Sequence, residues 1–89
     1  MWSNTFATLQ QASEGSKFYE AYVDLKVDDI FVLLVNYAWA EWYGYDSIAN
    51  IEELEGLFTS SGDNIKCISE GKYKIVFDVL TLELFIYPA

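Results

Sequence analysis

Eighty-nine residues carry 14 aspartates and glutamates against 5 lysines, with no arginine and no histidine, for a net charge of −9; 53% of the chain is hydrophobic and 18% aromatic. Such a chain repels polyanions, which excludes binding of nucleic acid or an anionic membrane through a basic surface. With no histidine and one cysteine it also excludes Ser-His-Asp and Cys-His catalysis and His/Cys zinc sites, while the apolar fraction is too high for a disordered acidic tail.

The length suits a single domain over residues 1–89. Residues 3–13 read as a short helix, with Ser3 as N-cap and Phe6 and Leu9 three apart on one face. Glu14-Gly15-Ser16 breaks it. From Tyr19 the pattern alternates, with Ala21, Val23, Leu25 and Val27 inward and Glu20, Tyr22, Asp24 and Lys26 outward, as in a half-buried strand. Asp28 and Asp29 then precede a long apolar stretch in which Phe31, Leu34, Val35, Ala38 and Trp42 follow helical spacing, so the expected element is an acid-capped helix closed by Gly44. The competing reading is a buried strand through Ile30–Val35, because that run is unbroken and β-branched.

Asn50 and Glu53 form a capping-box-like pair ahead of Ile51, Leu54, Leu57 and Phe58, which predicts a second helix ending at Gly62. Asn64–Ile68 and Lys72–Val79 read as strands joined by a Ser69-Glu70-Gly71 hairpin turn. Leu80, Leu82, Leu84 and Ile86 alternate on the opposite parity to Tyr73, Ile75 and Phe77, which requires either a bulge or a tight turn near Val79–Leu80. The expected class is α+β: two or three helices packed on one face of a mainly antiparallel sheet of three to four strands.

The N-terminus carries no positive and apolar signal segment, and the longest apolar run, Ile30 to Val35, is six residues where a spanning helix needs about 20. Cys67 has no partner for an internal disulfide, so the expected compartment is a bacterial cytoplasm, and its default role is a buried small hydrophobe. No Gly-rich phosphate loop is present, and no cofactor or metal is implied. Paired carboxylates could serve acid–base chemistry, but 89 residues leave little room for a cleft, and the expected answer is not an enzyme.

Charge is the most informative feature. Between Lys26 and Lys66 there is no basic residue, and the 39 intervening positions hold eight acids, a charge of −8. A solvated face that aids solubility is the bland explanation; an acidic patch that steers onto a basic groove is the functional one. The candidate partner-binding residues are Asp28, Asp29, Glu41, Asp46, Glu52, Glu53 and Glu55 for charge, with Trp42, Tyr43 and Tyr45 as aromatic anchors, because large amphipathic rings carry interface energy. Glu52, Glu53 and Glu55 fit helix capping better than a metal site.

A strand, an acid-led helix, the Trp42-Tyr43-Gly44 turn and a helix through Ile51–Phe58 resemble the first half of the barstar family of small acidic ribonuclease inhibitors; the C-terminal strands depart from that family's order. The resemblance implies an inhibitor. Together with the charge map, the expected function is a small cytoplasmic inhibitor that occupies the basic site of a nucleic-acid-handling protein or complex. An anti-CRISPR or anti-restriction protein of a phage and an immunity protein for a nuclease toxin both fit, acting as monomer or homodimer without touching nucleic acid or membrane. The alternative is a non-catalytic assembly module, since Leu82, Leu84 and Ile86 against Phe85 and Tyr87 make a last strand apolar on both faces.

Overall fold

The computed structural model describes the backbone of residues 6–35 and 38–89 and the side chains of residues 7–35 and 42–89. Eight strands lie among the described residues: β1 (Phe6–Gln11), β2 (Phe18–Leu25), β3 (Ile30–Val35), β4 (Ala38–Tyr43), β5 (Phe58–Ser61), β6 (Asn64–Cys67), β7 (Gly71–Asp78) and β8 (Glu83–Pro88). They form one curled, half-barrel sheet in the order β5-β6-β3-β1-β2-β7-β8, with β4 on β3. The fold is therefore nearly all β, and the expected α+β class with two or three helices is overturned. The only helical pieces among the described residues are 3₁₀ turns at Tyr45–Ser47 and Ile51–Leu54.

Each expected helix fails for a local reason. β1 joins two sheet edges, pairing parallel with β3 through residues 6–9 and antiparallel with β2 through Gln10 and Gln11. Those tertiary pairings override the helix preference of its Ala, Leu and Gln residues; Ser3, the expected cap, lies outside the described residues. The run from Ile30 is β3, buried from Phe31 to Val35 on both faces and paired on both edges, by β1 along one and by β4 and β6 along the other. An unbroken apolar run satisfies helical and strand periods equally, and here the buried strand wins.

Asp28 and Asp29 do not cap a helix. They make the β2–β3 turn, with Asp28 at φ 75°, the Lys26 N–H donating to Asp29 Oδ2 at 2.8 Å and the Asp29 N–H donating to the Lys26 carbonyl at 3.0 Å. The likeness to the barstar half falls as well, since its acid-led helix is β3 and its second helix is a 3₁₀ turn at Ile51–Leu54 followed by β5. In β2, Ala21, Val23 and Leu25 are buried as the alternation requires, whereas Val27 lies beyond the strand and is exposed.

β6 and β7 are not a hairpin. β6 pairs with β3 and β5, β7 pairs with β2 and β8, and Ser69-Glu70 carries the chain from one half of the sheet to the other. The parity change after Phe77 is a tight turn rather than a bulge. Asp78 Oδ1 accepts the N–H groups of Leu80 (2.9 Å) and Thr81 (3.2 Å), the Leu82 N–H donates to the Asp78 carbonyl, and Leu82 takes φ 62°.

The core fills the concave side. Phe31, Phe58, Phe77, Leu9, Leu25 and Ile65 are fully buried, with Phe31 edge-on to Phe58 at 5.7 Å and Tyr43 tilted on Phe77 at 5.0 Å. The segment 44–57 spans that side as a strap, burying Ile48 and packing Ile51, Leu54 and Leu57 against the core. The expected helix ending at Gly62 is not formed: only Ile51–Leu54 is wound, as a 3₁₀ turn whose spacing of three carries Ile51 and Leu54 inward, and Phe58, read as the end of the stripe, opens β5.

Candidate functional site

The strap is held by backbone geometry at three places. β4 and β6 lie end to end along β3, and at their junction the Tyr45 N–H donates to the Asp63 carbonyl at 3.1 Å. Gly44 is required there, since a Cβ would collide with the Asp63 carbonyl oxygen and touch the Trp42 ring at 3.2 Å. Next, the Ala49 N–H donates to the Leu82 carbonyl at 2.8 Å.

The third tie is Asn50. Its side chain makes no helix cap; instead Nδ2 donates to the Leu84 carbonyl and Oδ1 accepts the Leu84 N–H, both at 2.8 Å. The amide thus stands where a neighbouring strand would pair with β8. That edge is further blunted by Pro88, which has no N–H to offer.

With its apolar residues inward, the strap turns Asp46, Glu52, Glu53 and Glu55 outward, all exposed. Asp63, exposed on the β5–β6 turn, joins them through its bond to Tyr45. Among the described residues none of these five carboxylates has an ion pair. The four ion pairs lie elsewhere: Lys17–Asp78 (3.1 Å), Lys66–Asp28 (3.4 Å), Lys26–Asp24 (3.7 Å) and Lys74–Glu20 (3.7 Å).

The remaining candidates separate. Asp28 and Asp29 sit at the far end of β6 from Asp63, roughly 13 Å along a four-residue strand. There Asp28 pairs with Lys66, while Asp29 is tied to the turn. Of the three aromatic anchors, Trp42 alone is outward, 43% exposed on the face it shares with its cross-strand partner Leu34. Tyr43 and Tyr45 are half-buried against the core, so their rings serve packing. The side chains of Glu41 and Trp39 lie outside the described residues. Asp63 and the Asn50 clamp were not singled out from sequence; the Gly62-Asp63 turn marks a hairpin, but nothing local announces a bond reaching 34 residues onward.

Two other ionisable groups are structural. Burial by itself raises the Asp78 carboxyl, but Lys17, the N–H groups of Leu80 and Thr81 and the Thr81 hydroxyl outweigh it and hold the pKa at about 2. The Cys67 thiol is buried and donates to the Ser69 carbonyl at 3.3 Å; burial above all, with the nearby Asp29, Glu70 and Asp28 charges, raises its pKa, which leaves it a poor nucleophile. Among the described residues no cluster of three or more Cys, Asp or Glu is arranged to hold a metal ion, and no helix is long and apolar enough to cross a membrane. Comparison with family models, curated proteins and solved structures returns no match.

Proposed function

We propose that this chain is an acidic inhibitor that docks through its strap and the adjoining Asp63 turn onto the basic nucleic-acid-binding site of a nuclease or defence complex, as an anti-CRISPR, anti-restriction or immunity protein does. The supporting observation is the set of five exposed carboxylates, Asp46, Glu52, Glu53, Glu55 and Asp63, which have no ion pair among the described residues. Carboxylates neutralised within the chain would have nothing left to offer a cationic groove. These are spread along a backbone tied at both ends, so little ordering entropy opposes binding. Their field steers a basic partner at long range, with a reach set by a Debye length of about 8–10 Å at physiological salt.

The test is capture from bacterial lysate with tagged protein at low and high salt, alongside the triple reversal Glu52→Lys, Glu53→Lys and Glu55→Lys. The expected result is recovery of a nuclease or nucleic-acid-binding complex, lost on adding DNA or salt and weakened at least tenfold by the triple reversal. Undiminished capture by the triple variant would overturn the assignment of these residues.

A further inference from the structure

The outer face of β2, β7 and β8 differs from the rest of the molecule. Five carboxylates lie on these strands or at their ends, Glu20, Asp24, Glu70, Asp78 and Glu83, against four lysines, Lys17, Lys26, Lys72 and Lys74. Three of the four ion pairs among the described residues are made here, and Lys72 stands directly across from Asp24. Of the chain's net charge of −9, only −1 falls on this face.

What the face does show is aromatic. Tyr22, Lys74 and Tyr87 form one cross-strand row; Tyr22 is 63% and Tyr87 51% exposed, and the half-buried Val76 and Phe85 make the next row with Glu20. Two strand spacings set the tyrosines about 9.6 Å apart. The Lys74 ammonium lies 5.9 Å from the Tyr22 ring centroid.

Beside Tyr22 the surface opens. β1 leaves β2 after the Gln10–Glu20 pair to join β3. The splay makes an open groove of about 410 Å³ lined by Gln10, Gln11, Ala12, Glu20, Ala21 and Tyr22. Because the Ala12 N–H donates to the Phe18 carbonyl, even-numbered residues of β2 turn their backbone groups toward β1. Gln11 is steadied by donating Nε2 to the Ser16 carbonyl at 2.9 Å.

We propose that this row and groove bind a neutral, extended glycan, whose apolar C–H faces stack on Tyr22 and Tyr87 and whose hydroxyls bond to the Gln11 amide and Glu20. A tyrosine face is electronegative and takes weakly positive C–H groups. The ring spacing is the span of two sugar units in an extended β-linked chain. Local charge balance fits an uncharged ligand: a polyanion is repelled by the whole molecule, and a polycation is drawn to the strap instead. The site is separate from the proposed inhibitor surface, so either can fail alone.

The test is native electrophoresis of the full chain in gels holding hydroxyethylcellulose, xyloglucan or, as the anionic control, alginate, with calorimetric titration of cellohexaose. The expected result is retardation by a neutral polymer but not by alginate, weakened at least about fivefold by Tyr22→Ala and by Tyr87→Ala and kept by Tyr22→Phe, which retains the ring. Both tyrosines are exposed, so unchanged far-ultraviolet circular dichroism certifies the fold of each variant. No retardation by either neutral polymer together with no heat from cellohexaose, or retardation untouched by both alanine variants, would overturn the proposal.

Discussion

Replacing Asn50 with alanine tests whether one amide holds the strap to the sheet. Two hydrogen bonds of 2.8 Å are lost, both to the backbone of Leu84, whose side chain is fully buried. At a net ~1 kcal/mol per bond, and more where a buried group is left unpaired, the loss is about 2–3 kcal/mol. A domain of this size has roughly 4–13 kcal/mol of stability, so the change is a large share of it. It should lower Tm by roughly 8–20 °C and the urea midpoint in proportion, with an unchanged m-value.

Asn50→Asp sharpens the test. Its carboxylate can still accept the Leu84 N–H, but it faces the Leu84 carbonyl with a second acceptor. At neutral pH it should be at least as unstable as alanine; once protonated, below about pH 4, its O–H can donate and part of the loss should return relative to alanine. Fluorescence-monitored urea titrations of the three proteins at pH 7 and pH 3.5 decide it. An alanine variant within 0.5 kcal/mol of the parent, with aspartate tracking alanine at both pH values, would show that the clamp carries no weight.

Gly44→Ala should cost about 1–3 kcal/mol, because its methyl meets fixed backbone at Asp63 instead of a side chain that can move, whereas Gly56→Ala, with open space around it, should leave Tm nearly unchanged. Acid titration should expose Asp78: its pKa, near 3.8 when unpaired, falls to about 2 in the fold. Its stabilisation is thus present above about pH 4 and lost as pH falls toward 2. Urea midpoints between pH 5 and 2 should show the gap between parent and Asp78→Asn closing over that window; a gap independent of pH would refute the assignment.

Three of the eight described strands were legible from alternation alone. β2, β6 and β7 declare themselves by alternation, because each has one face on the core and one toward solvent, and the Glu14-Gly15-Ser16 break is a true turn with Gly15 at φ 79°. β3 was read only as the competing alternative, for the opposite reason. A strand paired on both edges and buried on both faces has no polar side to give it a period, and Leu and Phe at helical spacing then arise by chance. Aspartates deepened the error: Asp28, Asp29 and Asp78 all make turns, and the same side-chain oxygen that caps a helix N–H binds a turn N–H equally well. The acidic character of residues 27–65 was plain from counting lysines. Which of those acids stay unpaired was not, since Asp28 finds Lys66 only because β6 lies against β3.

The charge is not spread as a solubility coat would be. Outside the β2–β7–β8 face stand nine carboxylates and one lysine, Lys66, which is itself engaged by Asp28, so −8 of the −9 belongs to that remainder. Solubility alone requires only net charge, and interspersed signs supply it with less self-repulsion. Confining four of five lysines to one nearly neutral face leaves the strap acids repelling one another. That repulsion is relieved when a cationic surface arrives. A bystander surface charge, by contrast, gains nothing from such a partner beyond general screening. The two explanations diverge in salt: if the strap acids repel one another in the free protein, raising salt from 0.05 to 0.5 M should raise Tm of the parent more than that of the Glu52→Lys, Glu53→Lys, Glu55→Lys variant, because screening removes a repulsion the variant no longer has.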